Sequence, residues 1–315
     1  MKHIYSILIG CLIALSLHAQ TKPADTLTLA DPTIFYDKGQ YYLYGTGSNR
    51  GFEVYRSADL NNWKGPVGKI EGHAMLKGQS YGRRGFWAPQ IFKHKDKYYM
   101  AYTADEQVAI AESDSPLGPF TQKTVKAISG PGKQIDPYIF KDTDGKLYLY
   151  HVRLQKGNRI FVARLKDDLS DIDTTTTKEC ISAQLRWENE AKSDWPVSEG
   201  PTVVKHNGLY YMLYSCNDFR NINYSIGYAT ATSPMGPWVK SKSNPILTRQ
   251  MTGVNGTGHG DLFADGSGQL FYVFHTHQNN LTTGRRKTAI IKMAFSKDKP
   301  SQLNADQTSF RFLFK

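Results

Sequence analysis

The chain has 315 residues, 40% hydrophobic and 12% aromatic, with 39 Lys and Arg against 28 Asp and Glu for a formal net charge of +11. This composition excludes a disordered or collagen-like chain. The basic residues are scattered and no nucleic-acid motif accompanies them, so the charge points to no nucleic-acid partner and at most to polyanionic surroundings such as acidic polysaccharide.

The first segment, "MKHIYSILIGCLIALSLHAQ", has an early Lys, an apolar stretch from Ile4 to Leu17 and then His-Ala-Gln. It reads as a secretory signal over residues 1–19, too short for a membrane span. The expectation is export to the periplasm or medium, with residues 20–315 as one soluble domain and no membrane association. Two cysteines then remain, Cys180 and Cys216; their pairing stays open, and no Cys/His spacing suggests zinc.

A repeat follows. In chain order it reads "DPTIFYDKGQYYLYGTG" from Asp31, "APQIFKHKDKYYMAYTA" from Ala88 and "DPYIFKDTDGKLYLYHV" from Asp136. Next come "GPTVVKHNGLYYMLYS" from Gly200 and a divergent "GDLFADGSGQLFYVFHTH" from Gly260. Each copy is a short apolar run, a polar turn and an aromatic-rich run, the signature of a β-hairpin. A further strand-like segment follows each hairpin, and no amphipathic helix interrupts them. "DTDGK" at 142–146 reads as a hairpin turn, lacking the downstream acid of a calcium loop. The Tyr-Tyr pairs at 41–42, 98–99 and 210–211 read as core. Thr174–Thr177 opens the longest irregular stretch, a candidate binding or lid loop over 170–198 that carries Trp187 and Trp195.

Five such units predict an all-β chain, a five-bladed β-propeller. In that architecture the first strand of each blade lies beside the axis. The residues opening those strands are expected to be Asp31, Ala88, Asp136, Glu199 and His259. A lone Glu beside Gly-Pro is ordinary turn composition. Acids at the same place in three blades instead make a converging cluster.

The pattern "ADP", "IDP" and "SEGP", with "GFWAPQIF", "GHGDLF" and "GRRKTAI", resembles glycoside hydrolase family 43 over about Leu29 to Phe295. The resemblance implies an inverting mechanism with Asp31 as general base and Glu199 as general acid, spaced roughly 6.5–9.5 Å apart to admit a water. Asp136 would orient Glu199 and raise its pKa through its negative charge. Trp87, with its neighbour Phe86, would give the sugar a stacking surface. Arg286, or Arg285 if the register slips by one, would contact substrate, as would His259. His259 is also the implied side-chain ligand of a water-mediated Ca2+ on the axis; no cofactor is implied for the chemistry.

The activity so implied is exo-acting release of terminal α-L-arabinofuranose from arabinan, arabinoxylan or arabinogalactan by a monomeric enzyme. β-Xylosidase and endo-α-1,5-arabinanase activities are the neighbouring alternatives. A noncatalytic carbohydrate-binding propeller is the alternative from another class, and it would not need all three acids.

Overall fold

Each copy of the repeat forms an antiparallel sheet whose strands follow one another in chain order. In the computed structural model, which describes residues 25–315, blade 1 is Ala30–Asp37, Gln40–Thr46 and Tyr55–Ser57, and blade 2 is Trp87–His94, Lys97–Ala104 and Gln107–Ser113. Blade 3 is Gln134–Lys141, Leu147–Leu154, Asn158–Leu165 and Ile172–Ser182. Blade 4 is Ser198–His206, Leu209–Cys216, Ser225–Ala231 and Val239–Lys240. Blade 5 is Gly258–Ala264, Leu270–Thr276, Lys287–Phe295 and Leu303–Phe312. The expected signal at 1–19 lies outside the described residues. Among those residues no helix is long and apolar enough to cross a membrane.

The hairpin turns follow from their residues. At Lys38-Gly39 and Asn207-Gly208 both central residues have positive φ, the twist that matches two antiparallel strands. Strand alternation then divides the core among the blade interfaces. Tyr41 faces the cluster shared by blades 5 and 1, with Leu43, Phe263 and Val273. Its neighbour Tyr42 packs on the cluster shared by blades 1 and 2, with Tyr44, Tyr98 and Met100. Tyr98 and Tyr99 split between interfaces in the same way, as do Tyr210 and Tyr211. Because successive side chains on a strand point to opposite faces, each Tyr-Tyr pair supplies one ring to each flanking interface. The result is a five-bladed β-propeller, with a separate apolar cluster at each of its five junctions.

The ring closes where the first and last described residues meet. The Leu27 amide donates to the Leu313 carbonyl at 2.8 Å, and the Lys315 amide to the Asp25 carbonyl at 2.9 Å. Thr288 Oγ1 bridges the Leu29 amide and carbonyl at 3.0 Å each.

The irregular loop expected over 170–198 is shorter than that. Thr174–Thr177 lie within the fourth strand of blade 3, as β-branched residues favour. The loop proper begins after Ser182 and is pinned by Glu188, which is fully buried. Its carboxylate accepts from Lys240 at 2.6 Å, from Tyr214 at 2.8 Å and from the Gln184 and Leu185 amides. Trp187 tilts over Tyr214 inside the core, so only Trp195 of the two tryptophans is strongly exposed. Cys180 and Cys216 are separate free thiols.

Candidate active site

The innermost strand of every blade is irregular at its start. The pairing register shifts there in all five sheets. At each shift one residue takes a left-handed conformation: Asp31 (φ 47), Ala88 (φ 44), Asp136 (φ 53), Gly200 (φ 60) and His259 (φ 43). These bulges turn the strand ends toward the axis. The equivalence expected from the repeat is therefore corrected in blade 4. Gly200, not Glu199, is level with Asp31 and Asp136, while Glu199 stands one residue earlier, level with Trp87. Gly200 has no substitute there, because a Cβ would sit 2.7 Å from the His259 ring.

Side chains tie neighbouring blades together at the bulges. The Ala88 amide donates to Thr46 Oγ1 (3.0 Å), Asp136 to Thr103 Oγ1 (2.9 Å), His259 to Ser215 Oγ (2.8 Å) and Asp31 to His275 Nδ1 (3.1 Å). The matching residue of blade 3 is Val152, opposite Ile135, which offers no acceptor. At that junction the Gly200 amide instead donates to Asp136 Oδ2 at 3.3 Å. Asp136 thereby holds the backbone beside Glu199.

Asp31, Asp136 and Glu199 are each less than a tenth exposed, yet their surroundings separate them. For Asp31, burial alone pushes the pKa up, but Arg286, His259, His275 and the Thr46 hydroxyl outweigh it and hold the carboxyl well below the usual range. Arg286 Nη1 donates to Asp31 Oδ1 at 3.1 Å, and Thr46 Oγ1 donates to Oδ2 at 2.7 Å. Glu199 is pushed up to about 7, first by burial and then by the charges of Asp31 and Asp218, against hydrogen bonds from Tyr224 and Asn158. Asp136 is raised well above the ordinary value by burial, then by the charges of Glu199 and Asp31.

Burial therefore holds both Asp136 and Glu199 above the ordinary carboxyl range, so protons stay on them where exposed carboxyls have lost theirs. This differs from the expectation that Asp136 is a standing negative charge acting on Glu199. Burial is the first cause of the rise in both, and the charges that add to it on Glu199 are those of Asp31 and Asp218.

Trp87 is 37% exposed and borders a cleft of about 200 Å³ with Ser48, Asn49, Arg285 and Arg286. Phe86 borders the same cleft but is 2% exposed and packs edge-on against Phe52. Its ring is a core group, which does not fit the substrate contact expected of it. Of the two arginines, Arg286 reaches Asp31 and stacks on Phe219, its guanidinium 4.6 Å from the ring centre, whereas Arg285 is exposed.

His259 Nδ1 lies 3.4 Å from Asp31 Oδ1 and 3.9 Å from Asp136 Oδ2, so the ring stands between the two acids, and burial lowers its pKa against the pull of Asp31. Among the described residues no group of three or more His, Cys, Asp or Glu side chains converges on a metal position. His259 offers one nitrogen where calcium prefers oxygen, and Asp31 is taken up by Arg286. The donor set does not fit a Ca2+ bound directly by side chains.

Several residues at the site are not singled out by the repeat, although His275 and Asp261 lie within its fifth copy. Tyr224 and Asn158 hydrogen-bond Glu199 from outside the hairpins, and His275 orients the Asp31 amide from the neighbouring blade. Asp261, pushed by burial up to about 6, sits deeper on the axis and accepts from Thr33 and Thr202. Only the strand-opening acids could be found by aligning copies of the repeat. The others depend on which blades become neighbours.

The arrangement offers a carboxylate held ionised and a second carboxyl poised to give a proton, which is the equipment of acid–base hydrolysis. Comparison with known proteins agrees in kind. A crystal structure of an endo-1,4-β-xylanase from Bacteroides thetaiotaomicron superposes with a TM-score of 0.84 at 39% identity, covering 92% of this chain and 98% of that one. A β-D-galactofuranosidase of Aspergillus niger is 24% identical over 85% of this chain and 79% of its own length. An extracellular endo-α-(1→5)-L-arabinanase of Bacillus subtilis is 25% identical over 70% of each. The family model for glycosyl hydrolases family 43 matches residues 21–300. With the five-bladed fold and three axial carboxyls in place, the chain belongs to glycosyl hydrolases family 43.

Proposed function

We propose that this glycoside hydrolase works with inversion, from chain ends, and releases terminal α-L-arabinofuranose from plant polysaccharides such as arabinan, arabinoxylan or arabinogalactan. The observation that carries the chemistry is the opposite electrostatics of two carboxyls in one funnel: Asp31 held ionised by Arg286, and Glu199 pushed up to about 7. Asp31 takes a proton from water as that water attacks the anomeric carbon. Glu199 gives its proton to the glycosidic oxygen as the bond to carbon breaks. Asp136, through the Gly200 amide, keeps Glu199 in place. Trp87 and Arg286 receive the sugar.

Exo action is supported by the unequal clefts beside the acids. The one with Trp87 and Arg286 is about 200 Å³, and the one past Glu199, with Trp195 and Asp218, about 420 Å³. A terminal sugar suits the first and the remaining polymer the second.

A xylose-based reading is favoured by a specific observation, the 39% identity to the xylanase structure. The α-L-arabinofuranoside and β-D-xyloside of a weakly acidic phenol, whose departure needs protonation, compared in wild type and in Glu199→Gln, decide between them. The expected outcome is preference for the arabinofuranoside, with an alkaline limb of kcat/KM near pH 7 that the substitution removes along with most of the activity. Unchanged activity in Glu199→Gln defeats its role as acid. No hydrolysis of any glycoside by wild type supports a binding propeller instead.

A further inference from the structure

The two oxygens of Glu199 are held by different kinds of partner. Oε2 accepts from Asn158 Nδ2 at 2.7 Å, and Oε1 pairs with the Tyr224 hydroxyl at 2.7 Å. The Asn158 amide is not free to turn over. The Trp195 indole Nε1–H, which can only donate, lies 2.9 Å from Asn158 Oδ1. Oδ1 is therefore the accepting side, and the donor-only Nδ2 must face Glu199. A carboxylic acid accepts best at its carbonyl oxygen, so an obligatory donor at Oε2 leaves Oε1 as the oxygen that carries the proton. Tyr224 holds that oxygen in both states, donating to the carboxylate and, in the free acid, accepting the O–H until a glycosidic oxygen takes its place as acceptor. Its ring is fixed by stacking on His275, with centres 5.7 Å apart.

Trp195 is also the part of this chain of contacts that solvent reaches. It is 47% exposed on the wall of the 420 Å³ cleft, beside Ser193, Asn217, Asp218 and Arg220. The loop that carries it is tied to the same asparagine, whose backbone N–H donates to the Pro196 carbonyl at 2.9 Å. The cleft adjoins the acid, since Trp195 on its wall reaches Asn158, which hydrogen-bonds Glu199, and Asp218 is one of the charges acting on Glu199.

We propose that Trp195 and Asn158 form a positioning relay for Glu199: Trp195 lines the subsite of the leaving-group sugar, and its indole N–H locks the Asn158 amide so that Oε1 presents the proton to the leaving oxygen. The proton passes from Oε1 to the glycosidic oxygen as the carbon–oxygen bond breaks, and the bonding pair leaves with that oxygen. An occupied leaving-group subsite closes over Trp195 and stiffens the relay, so a bound sugar improves the alignment of the acid that releases it. This inference rests on Glu199 being the general acid.

The test uses aryl glycosides whose leaving groups range from dinitrophenol, which departs without protonation, to weakly acidic phenols and a sugar. Trp195→Phe keeps an aromatic face on the cleft wall and removes the N–H together with the five-membered ring, so glycosides of weakly acidic phenols, which place no sugar on that face, isolate the loss of the N–H. The variant is expected to retain kcat on the dinitrophenyl substrate within about twofold and to lose roughly tenfold on the weakly acidic phenols, the effect of one hydrogen bond. Asn158→Ala is expected to give the same pattern with a larger loss, and Glu199→Gln the largest.

Retained dinitrophenyl turnover shows that each variant is folded. An equal loss on every leaving group in Trp195→Phe, or a change in KM alone, while Glu199→Gln discriminates steeply, overturns the relay. An equal loss on every leaving group in Glu199→Gln instead overturns the assignment of the acid on which the relay rests.

Discussion

Arg286 and Asp31 are 255 residues apart in the chain and 3.1 Å apart in space. Burial by itself would raise the Asp31 pKa, and a base that is protonated cannot take a proton from water. The guanidinium reverses that sign and keeps the base ready. In Arg286→Ala burial meets weaker opposition, so the Asp31 pKa rises. The acidic limb of kcat/KM should then move to higher pH, and the value at the optimum should fall by roughly 100-fold or more. Arg286→Lys keeps the charge but loses the planar stack on Phe219, so it should restore the position of the limb without the full rate. A pH–rate profile of both variants checks this, and an acidic limb that stays put in Arg286→Ala would remove Arg286 from the role. At the same scale, the raised pKa of Glu199 sets the opposite limit. Its proton is held below about pH 7 and lost above it, so activity should decline through that range.

The strand-opening bulge is the element that makes a site from a repeat. It places a left-handed residue at the axis in every blade, and its amide is secured by a second-strand side chain of the preceding blade at four of five junctions and by the Asp136 carboxylate at the fifth. Thr103→Val tests how much such a tie contributes. It leaves the buried Asp136 amide without its acceptor and should cost about 1–3 kcal/mol in denaturant unfolding, the penalty of an unsatisfied buried donor. Because the same amide belongs to a site residue, activity should fall as well. A valine variant as stable as wild type would mean that water or another group satisfies the amide. The exception at Val152 matters as much as the rule, since it leaves the Gly200 amide for the Asp136 carboxylate.

At the scale of the whole molecule, the site exists only if the ring is closed. Asp31 belongs to blade 1, and its partners His275 and Arg286 to blade 5, on the two sides of the seam where the first and last described residues meet. Leu27 and Leu313 are both buried in the cluster that fills this seam. Leu313→Ala should cost about 2–5 kcal/mol, as for other buried leucines. It should also lower activity more than a truncation of equal cost in the cluster between blades 2 and 3, such as Leu149→Ala. Unfolding curves and kcat/KM measured together for the two variants separate global stability from integrity of the seam. Equal effects on activity would show that closure has no special bearing on the base.

The sequence by itself determined the repeat, the hairpins and hence the propeller, because strand alternation and turn chemistry are local and are written five times. It also exposed Asp31 and Asp136, whose X-Pro signature marks the bulge. Glu199 was found for a reason that was one residue out: aligned as a strand-opening residue, it stands a step earlier, and its reach depends on Asn158 and Tyr224 from two different blades. The tertiary structure alone decided that Phe86 is core and Arg286 the arginine of the site, that Thr174–Thr177 form a strand, and that burial raises Asp136 as well as Glu199. The physical reason is common to all four. Burial, the neighbouring charge and the partner of a hydrogen bond are set by which blades become neighbours, and no single stretch of the chain records that.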